Sequence, residues 1–469
     1  MQLSVQRSVP KHRLAHQRGA AALIVVMLLF FVISLTAAYT SRNLIFEQRT
    51  ASNQYRATQA LEAAEAGIEW TLAQLNSGLA TGSCTATTTA SGNPSFRQRY
   101  LSIDNTSGNV TPVSLPFPQE ERSPTCLLDT SSSSPGNWKW TCVCPPAAGT
   151  VPTLTAPTGA GNAPTYMIEM LPLLGGVRPD LFQVISYSCT RFSADCVSFS
   201  PDRGGTGDGI ATTRVTVALR GALTRTPAAA LTVAGTLAAS SGGAVLALQN
   251  SSATGNGVTL HSGGSAPSSG LALTGLPGAT AASTVVAGDS SLAPPAQTSL
   301  GFAAKDLRFA ALFGMQPQTY RRQPGMPILD CSGGCNAAAI NTAIERNPGR
   351  PVWLAGITGT VTIDGTVGSA SAPALLIVEG DVVFSGGASL TGLLYSRIKD
   401  DGSGAPPPPT VWALNGNASI VGAAVAEGNL TLGGSSTGVA ITYNEAALRA
   451  LRIGTGTFVR VPGSWRDFL

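Results

Sequence analysis

The sequence predicts an α+β chain: a long N-terminal transmembrane helix, then a small antiparallel sheet, then a largely β C-terminal region forming a β-solenoid with a helical insertion. Three observations predict it. No charged side chain lies between Arg18 and Arg42. Three alternating or β-branched runs, "TYMIEMLPL", "LFQVISYSC" and "TTRVTVALRG", follow one another between residues 165 and 222, separated by turn-rich loops. Beyond Arg225 the chain becomes a string of short apolar pieces divided by Gly, Asn and Ser, and its phrases recur imperfectly.

The uncharged run of 23 residues, 19–41, is long enough as a helix to span a hydrocarbon core of roughly 30 Å. Arg7, Lys11, Arg13 and Arg18 precede it without an acid among them, which places the N-terminus in the cytoplasm and the bulk of the chain outside. The net charge is +4, so those four residues account for all of it; the remainder is neutral and offers no basic face for nucleic acid. A secretory signal with a cleavage site at Ala37 and Ala38 is the competing reading. The continuation argues against it. From Ser41 the pattern stays helical, with Leu61, Ala64, Ile68, Leu72 and Leu75 at helix spacing, no proline, and Gly78 in place for a C-cap.

A basic leader ending in "QRG", then "AAALIVVMLLFF", then "EQRTASNQYRATQALEAAEAGIEW" resembles, over residues 16–78, the N-terminal region of PilX-type minor pilins of bacterial type IV pili. The resemblance implies that a prepilin peptidase cuts on the cytoplasmic side after Gly19, or one residue later after Ala20. It further implies that the helix sits first in the inner membrane and then in a pilus, with other minor pilins and assembly proteins as partners. Major pilins resemble "G-F-T-L-I-E", with a glutamate fifth after the cut. Here that position is Ile24, or Val25 in the other register, and no carboxylate is available. K-type pseudopilins of secretion systems share this lack, but their larger domain is expected to be helix-rich.

The expected divisions are a leader 1–19, the helix 20–78, a disulfide-rich α+β lobe 79–225, a first solenoid part 226–300, a helical insertion 301–350, and a second solenoid part 351–469 with a C-terminal cap. Low charge, 12% of residues, with 53 Gly and 31 Pro, fits a turn-rich β chain. The recurring phrases "IVEGDVVFSGGASLTGLLY" and "WALNGNASIVGAAVAEGNLTLGGSSTGVAI" suit stacked coils that bury apolar faces on one another. A disordered Gly/Ser linker is disfavoured by the regular Val, Ile and Leu spacing and the mean hydropathy of +0.18. The insertion carries helix-period residues Phe309, Leu312 and Phe313, then Ile340 and Ile344. "DLRFAALFGM", a cysteine pair, a helix and "VWLAG" also resemble the distal region of long PilX-like proteins, which implies that the two solenoid parts fold as one body. The final "ALRALRIGTGTFVRVPGSWRDFL", with Trp465 and Phe468, would cap that body against edge pairing.

Eight cysteines downstream of the apolar run suit disulfides in an oxidising compartment. Cys331 with Cys335 and Cys189 with Cys196 are placed for local bridges, leaving Cys84, Cys126, Cys142 and Cys144 to pair among themselves. Zinc ligand spacing is absent. Trp138 and Trp140 are expected to cover a small core. Chemistry is sparse: His12 and His16 fall in the leader, and His261 has no spaced partners for a triad. Asp202 and Asp208 lack the terminal glutamate of a calcium loop. Asp364, Glu379 and Asp381 read as turn carboxylates rather than a glycosidase pair. No cofactor, no metal and no enzyme activity are expected; tip adhesion, or a tethered β-helical carbohydrate enzyme, are the alternatives to a structural role in pilus assembly.

Overall fold

The computed structural model describes residues 18–115, 119–146, 153–158, 162–173, 178, 180–193, 196, 198–199, 208–239, 242–292, 306–399 and 407–467. Contacts divide the chain into two units, residues 1–58 and 59–469. One helix, α1, runs from Arg18 to Leu75. In its apolar part the Thr36 and Thr40 hydroxyls donate to the carbonyls of Val32 (2.7 Å) and Thr36 (2.8 Å), so neither is left open in a medium without water. The helix stops at Leu75, where the Asn76 side chain donates back to the Leu72 carbonyl. Gly78, expected as the C-cap, is outside the left-handed region; a Cβ there would lie 2.4 Å from the Arg346 carbonyl, so its role is close approach of two backbones.

Within the second unit the helix residues Ala60, Ala63, Ala64, Gly67, Ile68, Thr71 and Leu75 are buried. Small residues dominate because the sheet comes so near: a Cβ on Gly67 would lie 2.3 Å from Ser186 Oγ, and Ser188 Oγ donates to the Ala60 carbonyl at 2.6 Å. The sheet is antiparallel and six-stranded, in the order Gly456–Arg460, Ile210–Gly221, Leu181–Cys189, Thr165–Pro172, Thr125–Asp129, Lys139–Val143. The three expected strands form its centre. Two more come from the cysteine-rich lobe. The last comes from the C-terminal tail: the segment expected to cap the solenoid instead closes an edge of this sheet, pairing Phe458 with Leu219. Four disulfides link Cys84 to Cys144, Cys126 to Cys142, Cys189 to Cys196 and Cys331 to Cys335.

The remainder is two parallel sheets stacked coil upon coil. One interior column reads Val352, Leu376, Leu394, Ala424, Leu231, Leu260, Val285, each paired in register with the next. A second sheet supplies Val361, Val382, Trp412 and Leu432 opposite. The stacking order is not the chain order. Strand Leu231–Val233 lies on Ala424–Ala426, so the chain enters in the middle of the stack, builds outward to Val286, and resumes at the other end at Ile328 before working inward to Tyr443. The insertion expected to be helical also provides strands: Ile328–Asp330 and Cys335–Asn336 pair with Val352–Ala355 and Thr360–Ile363. Its helices Leu307–Phe313 and Pro317–Arg321, with the later helix Glu445–Ile453, supply Phe309, Phe313, Tyr320, Leu448 and Leu451 to cover an outward column of Trp353, Ile377, Tyr395 and Val425. That wall is therefore apolar on both faces, as parallel strands covered by helices must be.

Candidate functional site

The apolar part of α1 is the feature whose exposure has no structural account within the chain. Leu23, Ile24, Val25, Val26, Met27, Leu28, Leu29, Phe30 and Phe31 are all exposed. The most apolar window of the helix between Ala22 and Leu75 has mean hydropathy 2.6 and none of it is buried. A continuous apolar surface of this kind needs lipid or other apolar helices around it. Ile24 is 57% exposed, and no carboxylate occurs before Glu47, so the helix presents no charge that would need a partner in such surroundings. Gly19 and Ala20 lie within the first turns of α1; residues 1–17, with His12 and His16, fall outside the described residues.

Beyond Asn76 the helix end is fixed by arginine. Arg97, on the short helix Phe96–Tyr100, is 2% exposed. Its Nε donates to the Leu75 carbonyl at 2.9 Å, and its terminal nitrogens donate to the carbonyls of Gly349 (3.1 Å) and Gly456 (3.2 Å). The guanidinium also lies 4.8 Å from the centre of the Phe458 ring. Burial, and then the charge of Arg350, lower its pKa to about 9, which leaves it protonated at neutral pH. Arg350 donates to Asn76 Oδ1 at 2.9 Å and to the Pro324 carbonyl. Asn76 in turn exchanges two hydrogen bonds with Phe458, donating from Nδ2 at 2.8 Å and accepting at Oδ1 at 2.9 Å, as a neighbouring strand would. One junction thus joins the end of α1, the C-terminal strand and the loops at Pro324 and Gly349, which precede the solenoid strands Ile328–Asp330 and Val352–Ala355. Nothing in the string "FRQRY" marks its arginines as buried.

The residues that could carry chemistry are dispersed and occupied. His261 does have an acidic partner: its Nε2 lies 2.7 Å from Asp289 Oδ2, brought there by stacking of Leu260–Ser262 on Val285–Val286. Linear spacing could not show this, since 28 residues separate the two. Asp364 accepts from the Ala337 amide at 3.0 Å. Asp381 pairs with Lys399 at 2.8 Å and accepts from the Val411 amide. Glu379 accepts from Trp353 Nε1 (2.8 Å), the Gly356 amide (3.1 Å) and Arg321 (3.3 Å). Asp208 lies 3.9 Å from Arg191, and Asp202 is outside the described residues. Among the described residues no three His, Cys, Asp or Glu side chains gather to hold a metal ion. Trp138 and Trp140, expected in a core, are 41% and 38% exposed. The reason is position: they lie at the outermost strand of the antiparallel sheet, where Trp140 leans on Tyr166 at 4.8 Å between ring centres.

Three comparisons bear on this arrangement. Residues 18–69 match the PilX N-terminal family. No curated protein matches the chain. Among solved structures it is similar to the competence-associated pilin ComZ from Thermus thermophilus, at 11% identity and a TM-score of 0.21, over 88% of this chain and 97% of that one; a likeness of that size carries no argument. The family match falls on α1, from its apolar run to the small-residue face that packs on the sheet. The match shows a PilX N-terminal region over residues 18–69 of this chain, and it supports a type IV minor pilin of the PilX type.

Proposed function

We propose that this minor pilin acts without catalysis in the tip or priming complex of the type IV pilus, and there displays its β-solenoid. The observation that carries the reading is Ile24. An ionised glutamate in an apolar core is costly unless paired, and in major pilins its role is to meet the N-terminus of the neighbouring subunit. A subunit with isoleucine at that position makes no such pair, and the tip is the place where no earlier subunit requires one. In this reading prepilin peptidase removes the leader after Gly19. The helix is held in the inner membrane with the bulk of the chain periplasmic, and other minor pilins gather around it by apolar packing.

Ile24→Glu is the test, read by pilus counts in electron micrographs and by gold labelling of the protein on the fibres. The expected result is several-fold fewer pili, with label moving from the ends onto the shafts; unchanged numbers and unchanged end labelling would sink the assignment. Val25→Glu covers the alternative cut after Ala20. Mass spectrometry of the mature chain should find Ala20 at its start, and a mature chain beginning beyond Ala38, free in the periplasm, would remove the basis for a pilus component. The size of the solenoid favours adhesion as a second reading. A deletion strain that keeps its pili but loses attachment would select it.

A further inference from the structure

At one corner of the solenoid, six consecutive coils place Ala355, Glu379, Arg397, Glu427, Ala234 and Gly263 one above another. The register is fixed by the strands before them and by ladder bonds from the amides of Glu379, Arg397, Glu427, Ala234 and Gly263 to the carbonyls of Leu354, Val378, Ser396, Ala426 and Val233. Ala355, Ala234 and Gly263 occupy three of these positions, so a coil does not require a charge there. Yet Glu379, Arg397 and Glu427 are charged and largely shielded from water. Arg397 bonds Glu427 at 3.0 Å and Asp306 at 3.2 Å, with side chains 12%, 1% and 7% exposed. Buried ion pairs of this kind add little to stability over apolar residues of similar volume. Their presence beside a cavity therefore points away from a purely structural purpose.

The cavity is a recess of about 180 Å³ lined by Asp306, Gln318, Arg321, Trp353, Glu379 and Arg397 among others. Trp353 forms one wall, with the guanidinium carbons of Arg321 and Arg397 at 5.7 Å and 5.9 Å from its ring centre. Each of these charges already has a partner: Arg321 faces Glu379, and Arg397 faces Asp306 and Glu427. A net anion or cation would have to displace a pair already made. A neutral ligand with several hydroxyls would not, because each hydroxyl both donates and accepts. Among the described residues neither Asp306 Oδ2 nor the Gln318 side-chain amide makes a hydrogen bond, and both residues line the recess, one offering an acceptor and the other a donor. At ~30 Å³ per water the recess holds about six waters, the scale of one pyranose ring and too small for two.

We propose that this recess binds a single neutral pyranose residue, such as the terminal sugar of a surface glycan, with carboxylate, amide and guanidinium groups reading its hydroxyls. The proposal does not depend on how the chain assembles. It is tested with the full chain in detergent micelles by titrating the methyl glycosides of glucose, galactose, mannose and N-acetylglucosamine, followed by saturation-transfer NMR. At least one should bind saturably with a Kd of about 1 mM or below. Gln318→Ala and Arg321→Ala change exposed and half-exposed side chains and should each weaken that binding roughly tenfold, a loss of about 1.4 kcal/mol, while leaving the melting temperature in place. The proposal is overturned if no glycoside binds, if both variants bind as the native chain does, or if glycine or inorganic phosphate binds the recess and the sugars do not.

Discussion

Replacing Gly422 with valine is expected to unfold the solenoid at temperatures where the native chain is intact, at a cost of about 4 kcal/mol or more. Strands Ala388–Ser396 and Ala418–Ala426 each run through two walls of the coil, bending at Gly392 and Gly422, which are stacked in register. Their φ values are +137° and +149°, a region that side chains disfavour by ~1–3 kcal/mol each. Space is the harder limit. A Cβ on Gly422 would lie 1.8 Å from the Gly392 carbonyl oxygen, and one on Gly392 would lie 1.9 Å from that of Ala374. Both obstacles are backbone within the ladder, so relief requires breaking it. The control is Gly387→Ala, where nothing lies within 4 Å of the added carbon and φ is ordinary; it should change stability by less than ~0.5 kcal/mol. Thermal unfolding of the full chain in micelles, followed by far-ultraviolet circular dichroism, reads both. Equal melting of Gly422→Val and the native chain would mean that the corner is built otherwise.

The same pair of strands shows what the sequence reveals and what it hides. "ASLT" and "ASIV" alternate, as a wall with one covered face should, whereas "GLLYS" and "GAAVA" are continuous runs of apolar or small residues because helices cover the second wall. The glycine between the two textures marks the bend. Periodicity therefore discloses the coil and the long helix, since each depends on neighbours close in sequence. It does not disclose the order of stacking. Leu231 rests on Ala424 across nearly two hundred residues, and any coil with a similar apolar face would satisfy the local pattern equally well. The tail strand illustrates the same limit: "TFVR" reads as a strand, but whether it closes the solenoid or the antiparallel sheet is decided by Asn76 and Leu219. Of the chemistry-bearing residues, the pair His261 and Asp289 and the corner column around Arg397 arise only through stacking. Ile24 needed no structure, because an absent carboxylate in a charge-free run is a fact of composition.

Arg97→Met should loosen the join between the pilin helix and the rest of its unit, lowering stability by about 2–4 kcal/mol. Methionine fills a similar length of channel but donates nothing. The carbonyls of Leu75, Gly349 and Gly456, which share the guanidinium, would then lose that donor while still largely enclosed. Each buried acceptor without a partner costs about 1–3 kcal/mol, partly offset because a cation no longer has to be desolvated. Arg97→Lys separates charge from shape. A lysine keeps the attraction to the negative end of α1 but cannot spread three or more bonds across a planar fork, so it should recover less than half of the loss. Asn76→Ala removes the acceptor of the Phe458 amide and of Arg350 in the same junction. Because both sites hold the one strand, their combined effect should fall short of the sum of the separate ones, a coupling measured by a double-mutant cycle on thermal midpoints. Strict additivity would show that the helix end and the C-terminal strand are held independently. Coupling would mean that the helix end, the tail strand and the loop at Gly349 are held as one network, since the same residues bond all three.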